Sequence, residues 1–462
     1  MAKRTRFAAI LCKQEVTAGV FVPPSTTTDG ILVERPTLRI NNQVVDTAEV
    51  SGSLDSLAPI VGGAQCEISF PFYVKGAGTP GVAPEWGKVA KACGLAEVVT
   101  LQTISGTTIA LANPTRITDS GNGLAALTVG TPFHLVSPTG QKGECIVTVS
   151  AAGQVDFARL DAGPAFVAEA AGATYVIRYG VPAVAATAGS TTGFTAQAPW
   201  GNTAQQYRGL PVLASGNPVA PEYVVVSDYS ATRLAAITKL MGGALDVTTK
   251  VGIPANVRYQ PTSIDAPAHS FEMYRDGLRW RFRGGIGDVS VEMMAAQVWR
   301  FNVRITALFE SRTDAAVPQP TYDGTRAGTW RNSRFAIDRQ TCSVSRVTIA
   351  PNMQMAYPDN PNDPEGFDPP QHTDRNVRFS ANPYATSVAT RDLMSKLRLG
   401  QDIMVDAQLL GGNARNPGQR IAITLPAVTL TNNDDGDNSG FVSEELQGKP
   451  SERDAGFFLC IW

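Results

Sequence analysis

Three histidines are the first residues to consider for metal binding or acid–base chemistry. His134, His269 and His372 lie far apart in the sequence, and none has a neighbour at metal-ligand spacing. The cysteines are scattered as well and include no Cys-x-x-Cys pair. They are Cys12, Cys66, Cys93, Cys145, Cys342 and Cys460. We therefore expect ordinary strand or loop histidines, reduced and mostly buried thiols, and no metal site.

Glycine-containing segments and paired carboxylates do not indicate catalysis either. Residues 81–89 partly match a phosphate-binding loop, but Gly81 and Gly87 are one residue further apart than the glycines of that motif. Valine also follows Lys88 where the motif needs Ser or Thr. The glycines around Gly284 lie in a turn between strands and lack dinucleotide-binding spacing. Adjacent carboxylates at 434–435 and 444–445 are in polar surroundings, where we expect them to be solvated. The sequence predicts no catalytic residue and no cofactor, and hence a protein that is not an enzyme.

The overall composition excludes further classes of protein. The chain has 39 Lys and Arg against 41 Asp and Glu, which disfavours nucleic-acid binding through charge excess. An apolar share of 43% is too high for a disordered chain. No stretch approaches the roughly 18 apolar residues of a membrane-spanning helix, and the apolar run 7–12 is shorter than the core of a signal peptide. We expect synthesis in a cytoplasm and no membrane insertion.

The elements that position the charged residues are clearest between residues 270 and 311. Asp276-Gly277 separates two alternating runs, a strong hairpin signal, and a further alternating run covers 299–306. Because successive strand residues face opposite sides, the apolar residues share one buried face. They are Leu278, Trp280, Phe282, Val289, Val291, Met293, Trp299, Phe301, Val303 and Ile305.

The opposite face of this predicted meander is charged. It carries Arg279, Arg281, Arg283, Arg300 and Arg304 beside Asp288 and Glu292. Opposite charges on neighbouring strands stabilise a sheet by a few tenths of a kcal/mol each. We therefore expect sheet-face charge pairs among Arg279, Arg281, Arg283, Asp288 and Glu292.

The order of predicted elements divides the chain into four parts. Residues 1–100 with 223–318 read as a strand-rich unit with one short helix, and 101–180 as a small inserted β-domain. Residues 181–222, rich in Ala, Gly, Thr and Pro, are typical of a surface connection. Residues 319–462 read as a second β unit, again with one helix. Strand, strand, helix, strand, strand thus occurs twice, which suggests a duplication of pattern.

The hairpin at Asp276-Gly277 also carries a resemblance. That hairpin, the strand ending at Ala307-Leu308-Phe309-Glu310 and the proline-rich link after it resemble the tail tube (major tail) proteins of long-tailed bacteriophages. The segment Pro23-Pro24-Ser25, the predicted helix from Pro84 to Gly94 and the late Asp434-Asp435-Gly436 turn are similar to that family as well. The resemblance excludes residues 101–222 and rests on hairpin patterns, which are less specific than a catalytic motif.

The resemblance implies both a fold and a function. It implies a mainly-β fold of two β-sandwich or partial-barrel units, each with a short helix, in a structural virion protein. Its copies would close into rings that stack into the hollow tail tube through which DNA passes at infection. Two units in one chain suit a trimer with pseudo-sixfold symmetry better than a hexamer. The implied partners are other copies, the tape measure, tail terminator and distal tail proteins, and viral DNA in passage, with assembly in the host cytoplasm.

The bore of such a tube should be acidic or neutral, because a basic lumen would bind phosphates and retard DNA. Two acidic segments could contribute negative potential there, although solvated outer loops are an equal alternative. Their residues are Asp359, Asp363, Glu365, Asp368, Asp434, Asp435 and Asp437. Two other readings remain open from the sequence: a β-sandwich binding or decoration module of a virion or cell surface, and a strand-rich hydrolase or lyase.

Overall fold

The computed structural model describes residues 3–462 apart from 48, 51, 53–56, 217–218, 265 and 451. Residues 1–2 of the predicted N-terminal segment and 217–218 of the predicted connection thus lie outside the described residues. The described chain consists mainly of antiparallel strands with two short α-helices, which confirms the predicted mainly-β fold. Neither helix is long and apolar enough to cross a lipid bilayer.

The first five strands and the first helix precede the inserted region. They are β1 (Ala8–Gln14), β2 (Gly30–Ile31), β3 (Thr37–Val45), β4 (Ile60–Tyr73), α1 (Gly87–Ala92) and β5 (Leu95–Thr100). Strand β4 alternates strictly: Cys66, Ile68 and Phe70 are buried while the residues between them are half-buried. Helix α1 lies against the same core through Trp86 and Val89. This alternation is why β4 can form one layer of a sandwich.

The inserted region contains two seven-stranded β-domains in succession. The first comprises β6 (Gln102–Gly106), β7 (Ile109–Asn113), β8 (Arg116–Asp119), β9 (Pro132–Val136), β10 (Lys142–Ala151), β11 (Gln154–Arg159) and β12 (Tyr175–Tyr179). The second comprises β13 (Val181–Ala185), β14 (Ala188–Gly189), β15 (Gly193–Thr195), β16 (Pro211–Gly216), β17 (Val219–Tyr229), β18 (Leu234–Ile237) and β19 (Lys250–Ile253). Each has its own hydrophobic core.

The two inserted domains share one connectivity. Numbered within each domain, the strands run first, seventh, fourth, fifth, sixth, third, second across the sheet in both. In both, a Gly-x-Pro segment precedes the fourth strand, and the N–H of its glycine donates to a valine carbonyl: Gly130 to Val147 (2.8 Å) and Gly209 to Val226 (2.7 Å). Each valine begins a bulge in the fifth strand. Shared order, turn and bulge indicate a tandem duplication.

The segment 181–222 therefore differs from the predicted surface connection. It forms most of the second inserted domain, and residues 223–253 complete that domain rather than the first β unit. The sequence did not indicate these strands because many are short and rich in Ala and Gly. They therefore lack the alternation of Val, Ile or Tyr with polar residues that is typical of a strand. Their core is aromatic instead, with Trp200 between Phe194 and Tyr207.

The remaining strands return to the body of the protein. They are β20 (Asn256–Pro261), β21 (His269–Arg275), β22 (Leu278–Met294), β23 (Arg300–Asp314), β24 (Arg334–Ile337), β25 (Gln340–Thr341), β26 (Val344–Ala350), β27 (Met353–Ala356), β28 (Gln371–Arg375), β29 (Arg378–Pro383), β30 (Asp402–Leu409), β31 (Ile421–Asn438), β32 (Phe441–Pro450) and β33 (Phe458–Ile461). Helix α2 (Leu393–Leu399) and a 3-10 helix (Gly412–Arg415) complete the elements of the described chain.

The body contains two sets of strands with matching pairings. In the first set, β2 pairs with β1, β1 with β21, β21 with β22, β22 with β23, β23 with β4 and β4 with β3. In the second, β25 pairs with β24, β24 with β30, β30 with β31, β31 with β32, β32 with β29 and β29 with β26. In each set the helix follows the equivalent strand, β4 or β29. We call these sets the first and second repeat.

One hydrophobic core runs through both repeats. It contains buried residues of both, including Phe70, Phe301, Ile349 and Ile423. The inserted domains attach to this body through β5 and β20, which pair with each other, and β20 also pairs with the C-terminal strand β33. The two repeats therefore form one body with a shared core, and the inserts join this body through β5 and β20.

A buried ion pair locks the inserted domains to the body. Glu144 of the first inserted domain is 4% exposed and accepts hydrogen bonds from Tyr223 of the second and from Arg420 of the body, both at 2.6 Å. The Arg420 guanidinium also lies over the Tyr223 ring. Burial, reinforced by the Glu144 charge, raises the pKa of Tyr223 well above its usual value, so this phenol stays a donor.

Candidate functional site

A continuous eight-stranded sheet crosses both repeats and ends in two open edges. Its order is β3, β4, β23, β22, β26, β29, β32, β31. Among the described residues, strand β3 pairs only with β4, so its other side is open. One side of β31 pairs with β30 as far as residue 429, and beyond that residue the same side pairs with no described strand. Open edges present unpaired N–H and C=O groups that can pair with another chain.

The join between the repeats shows how such an edge is covered. The second half of β22 pairs with β26, with Val291 opposite Ile349 and Met293 opposite Val347. All four side chains are buried. Strand β31 is the equivalent of β22 in the second repeat, and β3 is the equivalent of β26 in the first. The open edges of β31 and β3 are therefore equivalent to the two strand edges that meet at the β22–β26 join.

Exposed apolar side chains mark both open edges. Ile40 of β3 lies opposite the buried Cys66 and so faces the core side, yet it is 40% exposed, whereas Ile349 of β26 is fully buried. Val44 is 54% exposed at the same edge, and Phe441 is 67% exposed at the turn that follows β31. Clusters of this kind on a sheet edge are typical of an interface.

The face of this sheet that points away from the core is polar and carries both signs of charge. Ion pairs join neighbouring strands across it: Arg304 with Glu67 at 2.8 Å and Arg346 with Glu292 at 3.0 Å. The exposed positions of β29 and β32 on this face include Arg378, Ser380, Glu445, Gln447 and Lys449. The result is a face of mixed charge rather than a basic groove.

The predicted pairs of Arg279, Arg281 and Arg283 with Asp288 and Glu292 do not form. Arg281 pairs with Glu272, Arg283 pairs with Glu310 and Asp363, and Arg279 bonds to the Thr313 hydroxyl. Glu292 pairs with Arg346, and one carboxylate oxygen of Asp288 is buried without a hydrogen-bond partner in the described structure. The arginine half of β22 pairs with β21, which places Arg281 opposite Glu272, whereas the half that carries Glu292 pairs with β26. Two register shifts against β23 separate these halves.

The predicted acidic loop at 359–368 is mostly engaged within the chain. Asp363 binds Arg283, Glu365 accepts the N–H of Ala64, and Asp368 accepts from Asn360. Burial would raise the pKa of Asp363, but the hydrogen bonds from Arg283 outweigh it and the pKa lies below its usual value. Only Asp359 of the four side chains is exposed.

The second predicted acidic segment is a strand rather than a loop. Asp434, Asp435 and Asp437 belong to β31 and are exposed beside its open edge. Asp434 and Asp435 face Glu445 and Glu444 across the β31–β32 pair, and Arg391 neutralises Glu444. Negative charge is therefore concentrated at one open edge, on a strand where the sequence predicted an acidic loop.

The described residues give little support for a metal site or for catalysis by histidine or cysteine. No group of three or more His, Cys, Asp or Glu side chains is close enough to hold a metal ion in the part of the chain that the structure describes. The three histidines lie apart, in β9, β21 and β28. All six cysteines are free, and only Cys342 is not fully buried.

No protein-family description matches the chain, and no curated protein resembles its sequence. The open-edged sheet is thus interpreted from its own geometry.

Proposed function

We propose that this chain is a structural subunit of a ring whose copies join through the open edges of β3 and β31, and that such rings stack into a hollow tube that conducts DNA. The observation that carries the proposal is the β22–β26 join, which covers inside one chain the same two surfaces that remain open at its ends. Head-to-tail contacts of this kind close into a ring when the rotation allows it.

The width of the sheet favours three copies in the ring. Strands lie about 4.8 Å apart, so three sheets of eight strands would close a barrel about 37 Å across the backbone. Side chains would leave a bore wider than a duplex of about 20 Å. Two copies would give about 24 Å, which side chains would narrow below the width of a duplex, and six would give about 73 Å, far wider than DNA needs. A trimer built of two repeats per chain also suits pseudo-sixfold symmetry.

The polar sheet face would then line the bore. Its interstrand ion pairs hold arginines such as Arg304 and Arg346 beside carboxylates, so few cations are free to trap phosphates. Phosphate binding to free Lys and Arg is driven by counterion release and would slow passage. A bore of mixed, paired charge is consistent with conduction of DNA rather than with its retention.

The inserted domains would lie on the outside of the tube. They attach through β5 and β20, and β20 pairs with β33, which pairs with the half of β31 distant from its open edge. Among the described residues, no strand of the inserts pairs with either open edge. The inserts therefore leave both proposed joining surfaces free.

A site-specific crosslink tests the proposal directly. Cysteine substitutions at Asn41 in β3 and Asp434 in β31, which both lie on the polar face of the sheet, should give disulfide-linked dimers when the two variant chains are mixed, because the two edges would lie one strand spacing apart. Either variant alone should give none, and a variant of the exposed Val149 in an inserted domain serves as the control. Negative-stain microscopy of the wild-type chain should show rings or tubes.

The outcomes separate the competing functions. A chain that stays monomeric at high concentration under all salt conditions contradicts the ring. Rings of six copies would retain the tube but contradict the trimer. The tape measure, tail terminator and distal tail proteins would be the partners of such a tube in a phage virion.

A further inference from the structure

The connection between β26 and β29 forms an arm that lies across the first repeat. This second arm, residues 351–377, contains the β27–β28 pair. Its Tyr357 hydroxyl donates to the carbonyl oxygens of Ala307 in β23 at 3.1 Å and of Cys66 in β4 at 3.4 Å. Since β23 and β4 belong to the first repeat, the second arm crosses the β22–β26 join and fastens one repeat to the other.

The second arm is seated on the polar face of the sheet. Gly63 lies three residues from the core residue Cys66 and therefore faces the opposite side of β4, where a side chain would collide with the carbonyl group of Glu365. Leu308 is fully buried, although it lies outside the hydrophobic core that contains its neighbour Ala307. The second arm therefore covers apolar surface on a face that is otherwise polar.

The strand pairings locate the equivalent surface on the second repeat. Strands β29 and β32 are the equivalents of β4 and β23, and both repeats carry a bulge that fixes the register. The bulge in β22 lies opposite residues 306–308, and the bulge in β31 lies opposite residues 447–448. Phe379 and Gly448, which lie opposite each other in β29 and β32, are thus equivalent to the two residues whose carbonyl groups bond to Tyr357.

That equivalent surface is an open cavity of about 480 Å³. Phe379 and Gly448 line it, and so does Thr431, the extra residue of the β31 bulge. The bulge of the first repeat is covered, because a side chain at Gly284 would collide with Pro369 of the second arm. The cavity therefore has the position of a second arm seat, and no described segment of the same chain covers it.

The segment of the first repeat that corresponds to the second arm is the outer part of the β3–β4 hairpin. This first arm, residues 42–62, is similar in length and leaves the sheet at the open edge of β3. Its large apolar side chains are exposed wherever the structure describes them, and Val50 is 98% exposed. They are Val44, Val45, Val50, Leu57, Ile60 and Val61. Exposed apolar side chains in such number are typical of a surface that another chain covers.

We propose that the first arm of each copy docks in this cavity on the second repeat of the neighbouring copy. The inference rests on the proposed ring, in which β3 of one copy lies beside β31 of the next. The first arm would then cross that contact as the second arm crosses the β22–β26 join. Within one chain the arm and the cavity are far apart, because β3 and β29 are separated by five strand spacings, about 24 Å.

Charge complementarity supports this occupant. The first arm contains three acidic residues, Asp46, Glu49 and Asp55, and no Lys or Arg. Arg378 and Lys449 line the cavity, and neither has an ion-pair partner in the described part of the chain. Docking would pair these cations with the arm and remove them from the face that lines the bore, which favours passage of DNA over its retention.

An exchange of these charges tests the docking. The cavity variant Arg378→Glu/Lys449→Glu and the arm variant Asp46→Lys/Glu49→Lys each place like charges together across the contact. Each should weaken association between copies at least tenfold in sedimentation velocity. The chain that carries all four changes restores opposite charges and should associate within threefold of the wild type. The thermal unfolding temperature of each variant shows whether it is folded.

Two exposed cations outside the cavity provide the matched control. Lys142→Glu/Arg398→Glu changes one residue of an inserted domain and one of α2, and should leave association unchanged. The docking is overturned if the chain with all four changes associates as weakly as the cavity variant or the arm variant. Equal weakening by the control pair would overturn it as well.

Crosslinking separates the docking from the ring itself. Val50→Cys on the first arm and Gln447→Cys in the cavity, made in separate chains and mixed, should be joined by a short bis-maleimide when the copies associate. Arg398→Cys in place of Gln447→Cys should give no crosslinked dimer, and neither should the wild-type chain. Rings that form the disulfide between the open edges but no arm crosslink would overturn the docking and leave the ring intact. A chain that forms no rings would overturn both.

Discussion

Charging the open edge of β3 should prevent assembly without unfolding the subunit. The variant Ile40→Asp/Val44→Asp changes two side chains that are 40% and 54% exposed in the isolated chain. Exposed substitutions of this kind alter the free energy of unfolding by roughly 0.5 kcal/mol or less. The monomer should therefore keep its fold, while the edge loses its apolar contact and gains two negative charges that repel the acidic edge of β31.

The size of the effect follows from the area still to be buried. Complete burial of a Val or Ile side chain stabilises by about 1.5–3 kcal/mol, and about half of each remains exposed. Each residue should thus contribute about 1 kcal/mol to a contact, or about 2 kcal/mol together, which is about a 30-fold change in the contact's equilibrium constant. A closed trimer makes this contact at every join, so the loss per ring is about three times larger.

Sedimentation velocity over a range of concentrations measures the effect. The wild-type chain should form rings at concentrations at which the variant stays monomeric, and circular dichroism should show equal strand content. Val149→Asp is the matched control, because Val149 is 51% exposed but lies in the first inserted domain. Equal assembly of the variant and wild type, or equal loss in the Val149 control, would refute the edge-pairing argument.

Three other outcomes are expected. Glu144→Gln should lower the free energy of unfolding by about 3 kcal/mol, because the buried Arg420 charge would lose its carboxylate partner. Denaturant titration measures this change, with Glu445→Gln as an exposed control. Replacing residues 101–255 by Asn-Gly, which joins the paired ends of β5 and β20 as a hairpin, should lower stability but leave rings visible by microscopy; loss of rings in a folded product would place the inserts in the tube wall. Burial lowers the pKa of both His134 and His269 to about 4, below the value of 6.5 in the unfolded chain. The free energy of unfolding should therefore be highest above pH 6.5 and should fall between pH 6.5 and 4, by on the order of 1 kcal/mol per pH unit for each histidine, because the unfolded chain binds the protons. A flat profile of unfolding temperature against pH would contradict this.

The sequence by itself determined the layer structure of the body. Alternation along 278–305 identified most of the buried face: Phe282, Val289 and Trp299 are buried as expected, whereas Leu278 and Trp280 at the hairpin end are half-buried. This was possible because side chains in a strand alternate between faces whatever their neighbours are, so burial on one side leaves a local pattern. The short helices at 87–92 and 393–399 were equally visible, since their apolar spacing and terminal glycines are local signals.

Only the tertiary structure decided which strands meet, and with them the sites. The arginines of β22 found partners on β21 and in a distant loop because their half of β22 pairs with β21, and no spacing in the sequence encodes that pairing. The second inserted domain is built of short Ala- and Gly-rich strands around Trp200, and its resemblance to the first appears in strand order, one Gly-x-Pro turn and one bulge. The open edges of β3 and β31 are likewise a property of pairing: Ile40 and Ile349 look alike in the sequence, and their different burial comes from the strand that covers one and not the other.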